Sequence, residues 1–154
     1  LVPERREEIT TEGGLNVVEL KEYLKDYLLP IKEANIEVSL FIEPDLEQVY
    51  ASKEVGADAI ELHTGRYANL WKESPLEAKK ELERLKRAGE EAKRIGLRVY
   101  AGHGLTYQNV IYLVKELKGI VEELNVGHSI ISNAVLFGLE RAVKEFLSLI
   151  KEGG

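Results

Sequence analysis

The chain has 154 residues, 44% of them hydrophobic and 31% charged, with a formal net charge of −6 and no cysteine. That length is about one domain's worth and allows a sizeable core. The acidic balance without a basic patch speaks against nucleic acid as a partner, the missing thiols exclude disulfides, zinc–thiolate sites and cysteine nucleophiles, and no apolar run approaches the ~18 residues of a membrane span.

Taken in chain order, Leu1-Val-Pro-Glu reads as the end of a buried strand, which leads us to expect that the chain is part of something longer. Val17 to Ala34 reads as a helix, kinked or split at Pro30. Val38 to Ile42 is rich in β-formers. It is followed by Pro44 and Asp45, a helix start with Asp45 as N-cap, and the helix from Leu46 to Val55 stops at Gly56. Ala59 to His63 is the next strand and Thr64 to Ser74 a long loop. Ser74-Pro75 opens an amphipathic helix with Leu76, Leu82, Leu85, Ala88 and Ala92 as its apolar stripe, ended by Gly96. Leu97 to Ala101 is a third strand, Thr106 to Leu117 a helix, and Ile120 to Val126 a fourth strand. Ser129 then caps a last helix whose apolar positions run from Ile130 to Ile150.

Alternating strands and helices with short joins imply an α/β fold with a parallel sheet covered by helices. Strand polarity chooses the kind of sheet. Ile60 and Leu62 share one face while Glu61 and His63 share the other. Val38, Leu40 and Ile42 oppose Ser39, Phe41 and Glu43, and Leu124 and Val126 oppose Glu123 and Asn125. A doubly wound sheet is buried on both faces and apolar on both, so one apolar and one polar face suit a TIM-type barrel with helices outside and a polar lumen. A complete barrel takes about 250 residues. The expectation is therefore a single domain over residues 1–154 that forms parallel (β/α) units amounting to about half a barrel. Its two unpaired sheet edges predict association of the isolated chain.

Two strand ends carry the chemistry: Gly102-His103-Gly104 after the third strand and Gly127-His128-Ser129 after the fourth. Barrel sites sit at this end of the strands. His103 reads as a general acid over a ligand, or as a turn histidine capping a helix. Gly102-His-Gly104 is no dinucleotide fingerprint, because the third glycine and the later acidic residue are missing. Gly127 and His128 open a helix, whose N–H groups suit a phosphate or serve as a plain cap. Glu61 faces the lumen as an acid, a base or an electrostatic stabiliser, or else pairs with a cation such as Arg98. His63 shares that face and reads as a supporting partner. No histidine or carboxylate spacing suggests a metal. Thr10, in Thr10-Thr-Glu-Gly-Gly14, follows the first strand end and can reach a ligand or cap. No strand end offers the Schiff-base lysine of an aldolase-type barrel.

At these residues the chain resembles the pyridoxine 5′-phosphate synthase family. The matching segments are Leu1 to Leu15, Val38-Ser-Leu-Phe-Ile-Glu43, Ile60-Glu-Leu-His-Thr-Gly-Arg-Tyr67, Ala101-Gly-His-Gly-Leu-Thr-Tyr107 and Glu123-Leu-Asn-Val-Gly-His-Ser-Ile130. They look like the C-terminal half or so of the family's barrel. The resemblance implies a cytoplasmic enzyme of vitamin B6 synthesis, a homo-oligomer in its full-length form, with no metal or organic cofactor. It would condense 3-amino-2-oxopropyl phosphate with 1-deoxy-D-xylulose 5-phosphate to pyridoxine 5′-phosphate, phosphate and water. By position, Glu61 matches the transition-state-stabilising glutamate and His103 the proton donor. Gly104, Gly127 and His128 match contacts to the amino-ketone phosphate, and Thr10 a contact to the sugar phosphate. Tyr100 stands where the family is expected to carry Asn, which would narrow the lumen. The family's first strand, its mobile loop with His and Arg, and its base glutamate have no counterpart here. The alternative is a non-catalytic half-barrel that binds phosphorylated ligands.

Overall fold

A computed structural model describes residues 1–3 and 13–154; the segment 4–12, which includes Thr10, lies outside the described residues. Four parallel strands in sequential order form the sheet: β1 (Ser39–Ile42), β2 (Ala59–His63), β3 (Arg98–Gly102) and β4 (Glu123–Asn125). The register sets Phe41 beside Glu61 and Glu61 beside Tyr100, so these side chains form one row across one face. Leu1 lies along β1 in parallel fashion: its amino group donates to Ser39 O at 2.5 Å and its carbonyl accepts from Phe41 N at 3.0 Å.

The other face is the core. Leu40, Ile42, Ile60, Leu62 and Val99 are fully buried there against helical side chains. Those helices are α1 (Lys21–Glu33), α2 (Leu46–Glu54), α3 (Gly65–Glu73), α4 (Pro75–Arg94) and α5 (Val110–Glu116). One apolar, helix-covered face and one face carrying Glu61, His63, Tyr100 and Asn125 is the arrangement expected of part of a TIM-type barrel. Pro30 sits inside α1 without ending it.

Five sequence expectations are corrected. The segment read as a loop from Thr64 to Ser74 is mostly α3, because Tyr67, Leu70 and Trp71 recur at helical spacing and Tyr67 is fully buried, its hydroxyl donating to Asn109 O at 2.7 Å. The helix read from Thr106 begins only at Val110, since the Asn109 side chain accepts from Thr106 N at 2.8 Å and holds a turn there. The last helix is two, α6 (His128–Phe137) and α7 (Leu139–Gly153), broken at Gly138 where φ is +86°. Leu76 leaves the α4 stripe and is exposed; Ala78 is buried near that end of the helix. The fourth strand is also shorter than read, Glu123 to Asn125 only. α7 packs against α5 and α6, and its Phe146 ring meets Tyr107 edge-on at 5.0 Å.

No helix among the described residues is long and apolar enough to cross a membrane.

Candidate active site at the strand ends

The C-terminal ends of β2, β3 and β4 open into a cleft of about 900 Å³. Its lining includes Glu61, His103, Gly104, Gly127 and His128, five of the six residues singled out from sequence.

Glu61 lies in the middle of β2, with its side chain on the lumen face. Oε2 accepts a hydrogen bond from Asn125 Nδ2 at 2.8 Å, which ties β2 to the end of β4 across β3. A Cβ on Gly102 would lie 2.3 Å from Glu61 Oε1, so this glycine makes the room for the carboxylate. Burial raises the Glu61 carboxyl above the ordinary glutamate range, against the opposing hydrogen bond from Asn125. Arg98 does not serve as its partner; it pairs with Glu37 instead. Tyr100 also turns toward that end, its hydroxyl donating to Glu37 Oε1 at 3.0 Å.

His103 is held in an unusual backbone conformation, with φ at +81°, and Gly104 follows at +76°. A non-glycine residue in the left-handed region is uncommon and is kept only where the surroundings impose it. The clamp here is Thr64, which is fully buried. Its hydroxyl lies 2.7 Å from Gly102 O and 2.5 Å from His103 O, and its N–H donates to Gly102 O at 2.9 Å. The His103 ring meets the His63 ring edge-on, with centroids 4.9 Å apart. Burial, and the nearby His63, lower the His103 pKa from the ordinary imidazole value.

At the end of β4 the chain turns through Gly127 into α6. Gly127 is the N-cap, and among the described residues no side chain caps the helix. Ser129, expected to be the cap, is inside the first turn, and its hydroxyl donates to Leu105 O at 2.8 Å. The first turn of α6, Gly127 to Ser129, thus lines the cleft with no side-chain cap among the described residues, an arrangement that suits an anion. His128 is exposed beside them.

Behind His103, Glu43 at the end of β1 was not singled out from sequence. Its Oε1 lies 2.6 Å from His63 Nδ1 and accepts from Gly14 N at 3.1 Å. The His63 hydrogen bond holds the Glu43 carboxyl below the usual range. The clue available in the sequence was strand position, since Glu43 follows β1 as His63 ends β2. No group of three or more His, Asp or Glu able to hold a metal occurs among the described residues.

The family model for pyridoxal phosphate biosynthesis protein PdxJ matches residues 1–152. The chain belongs to this family. It is 73% identical over 152 residues to the pyridoxine 5′-phosphate synthase of Aquifex aeolicus (strain VF5), covering 98% of this chain and 63% of that protein. It is 67% identical over 147 residues to the synthase of Aquifex pyrophilus, covering 96% and 62%, and 58% identical over 151 residues to that of Hydrogenobaculum sp. (strain Y04AAS1), covering 97% and 62%. The chain therefore spans less than two thirds of the length of these PdxJ-family relatives. All four strands and the whole cleft lie within the matched residues.

Proposed function

We propose that this chain supplies the acid-and-phosphate wall of a pyridoxine 5′-phosphate synthase, as the C-terminal part of a barrel that is one domain in the longer protein. The observation that carries this reading is the convergence of Glu61, His103, Gly104, Gly127 and His128 on one cleft at the strand ends. The names of the relatives supply the reaction class. The substrates are small phosphorylated molecules, 3-amino-2-oxopropyl phosphate and 1-deoxy-D-xylulose 5-phosphate. The N–H groups at the start of α6, with His128, hold the phosphate of the amino-ketone. Thr10 contributes to the sugar-phosphate side.

Joining an amine to a ketone develops positive charge on nitrogen and sheds water. Glu61, held by Asn125, offers a negative charge where that cation forms. His103 gives a proton to the departing oxygen. Its depressed pKa makes the protonated ring a strong acid, and a phosphate dianion in the same cleft favours protonation once substrate is bound. Proton abstraction falls to groups that the longer protein adds. That protein works as a cytoplasmic homo-oligomer without metal or organic cofactor.

The test is an assay of pyridoxine 5′-phosphate formation by the 154-residue chain beside the full-length protein that carries this sequence. Turnover is expected from the longer protein alone. Turnover by the short chain overturns the assignment of the bases to other segments, and no turnover by either leaves the phosphate-binding half-barrel as the correct reading.

A further inference from the structure

His103 borders two clefts. The larger is the one described above; the smaller, about 440 Å³, is lined by Glu43, His63, Arg66 and Asn69. Between the two stands a chain of contacts that the proposed reaction does not use. Glu43 Oε1 accepts from Gly14 N–H and lies 2.6 Å from His63 Nδ1. An ionised carboxylate only accepts hydrogen bonds, so His63 carries its proton on Nδ1 and, when neutral, has a free lone pair on Nε2. The His63 ring is 7% exposed and is wedged edge-on between Phe41, at a centroid distance of 5.0 Å, and His103, at 4.9 Å. Gly65 completes the wedge. A Cβ there would lie 2.5 Å from His63 Nε2 and 3.1 Å from His103 Cδ2, so any side chain would push the two rings.

We propose that Glu43 and His63 are positioning residues for His103: the carboxylate fixes the tautomer and plane of the His63 ring, and that ring fixes the plane of His103 at the cleft. This rests on the reading of His103 as the acid. A carboxylate–imidazole pair behind a reacting imidazole restricts its rotation, and a small misplacement of such a group costs rate rather than binding. Among the described residues, the charged and titratable groups around His103 are His63 and Glu43 behind it, Arg66 from α3 in the smaller cleft, and Glu61, Tyr107 and His128 in the larger one. Arg84 from α4 acts on Glu43.

The chain has only three histidines, so imidazole ¹H–¹⁵N spectra followed through the neutral pH range resolve each one, with His128→Ala and His103→Ala giving the assignments. His63 is expected in the Nδ1–H form. Glu43→Ala should release it to mixed tautomers and move the His103 signals and titration midpoint. Glu43→Gln, whose carbonyl can accept the same hydrogen bond, should keep the His63 tautomer. His63→Phe keeps a ring in the wedge and removes the imidazole link to Glu43, so the His103 signals and titration midpoint should move from their wild-type positions. In the full-length protein, Glu43→Ala should lower kcat roughly tenfold or more with KM little changed. The backbone amide spectrum reports folding, and if Glu43→Ala unfolds, His63→Phe decides. The proposal is overturned if the His103 signals and midpoint stay at their wild-type positions in the folded variants. Spectral coupling together with full activity in His103→Ala overturns the acid assignment alone, and loss of activity in His103→Ala without coupling overturns the positioning claim alone.

Discussion

The two Gly-His strand ends look alike in sequence and are built in opposite ways. At the end of β3 everything is constrained: Thr64 grips the carbonyls of Gly102 and His103, both His103 and Gly104 adopt positive φ, and Gly102 touches Glu61 so closely that no side chain fits. At the end of β4 almost nothing is. The strand is three residues long and, among the described residues, a Cβ on Gly127 would meet nothing within 4 Å and no side chain caps α6. A group that delivers a proton must be aimed before the substrate arrives, which costs strain and tight packing. A cradle for an anion needs the reverse, since its N–H groups must be left for the ligand to satisfy.

The contrast can be broken by substitution. The largest effect is expected for Gly102→Ala, whose Cβ would fall 2.3 Å from Glu61 Oε1 and 2.8 Å from the Asn125 carbonyl. Overpacking against backbone should destabilise by about 2–3 kcal/mol, read from denaturant unfolding. Thr64→Val removes the hydroxyl shared by the Gly102 and His103 carbonyls while keeping the Thr64 N–H bond to Gly102 O, for about 1–2 kcal/mol by the same measurement. If either change is silent, the β3 end is not constrained as described.

A smaller, pH-dependent effect belongs to Glu43. Its folded pKa lies below the ordinary value of 4.5, so the unfolded chain takes up the proton first as pH falls. Its contribution is complete above that value and is lost as pH drops through it toward the folded pKa. Thermal unfolding of Glu43→Gln against pH should therefore fall less steeply than wild type in the acid range, with a difference of about 1 kcal/mol or less because the side chain is partly exposed. Glu61 has the opposite sign. Burial raises its pKa, so its ionised form opposes folding at neutral pH, and Glu61→Gln should leave stability unchanged or slightly higher while removing activity from the full-length protein. The smallest effect is expected at the β4 end, where Gly127→Ala should cost about 0.5 kcal/mol, as an N-cap exchange with no steric conflict.

Much of this was legible in the sequence because strand and site share one signal. The alternation Ile60-Glu-Leu-His63 gives the strand, its helix-covered face and its lumen face together, and Ala59 to His63 is β2 to the residue. Glycines at strand ends mark the cleft for the same reason that they permit close approach. The reading failed where tertiary contacts override local composition. Thr64 to Ser74 has the polar character of a loop, but Tyr67 and Trp71 bury one face and make it α3. Ser129 has the right identity for a cap, but its hydroxyl is taken by Leu105 O, one strand away. Glu43 was missed because its meaning depends on β1 and β2 lying side by side, which no local pattern states.

The most direct test of the account is the rate of pyridoxine 5′-phosphate formation by the full-length protein with His103→Ala, measured at saturating concentrations of both substrates. Loss of an aimed general acid predicts a fall in kcat of roughly 10²–10⁴-fold with KM values close to wild type. A kcat within a fewfold of wild type would contradict the assignment of the β3 end as the proton-delivering wall of the site.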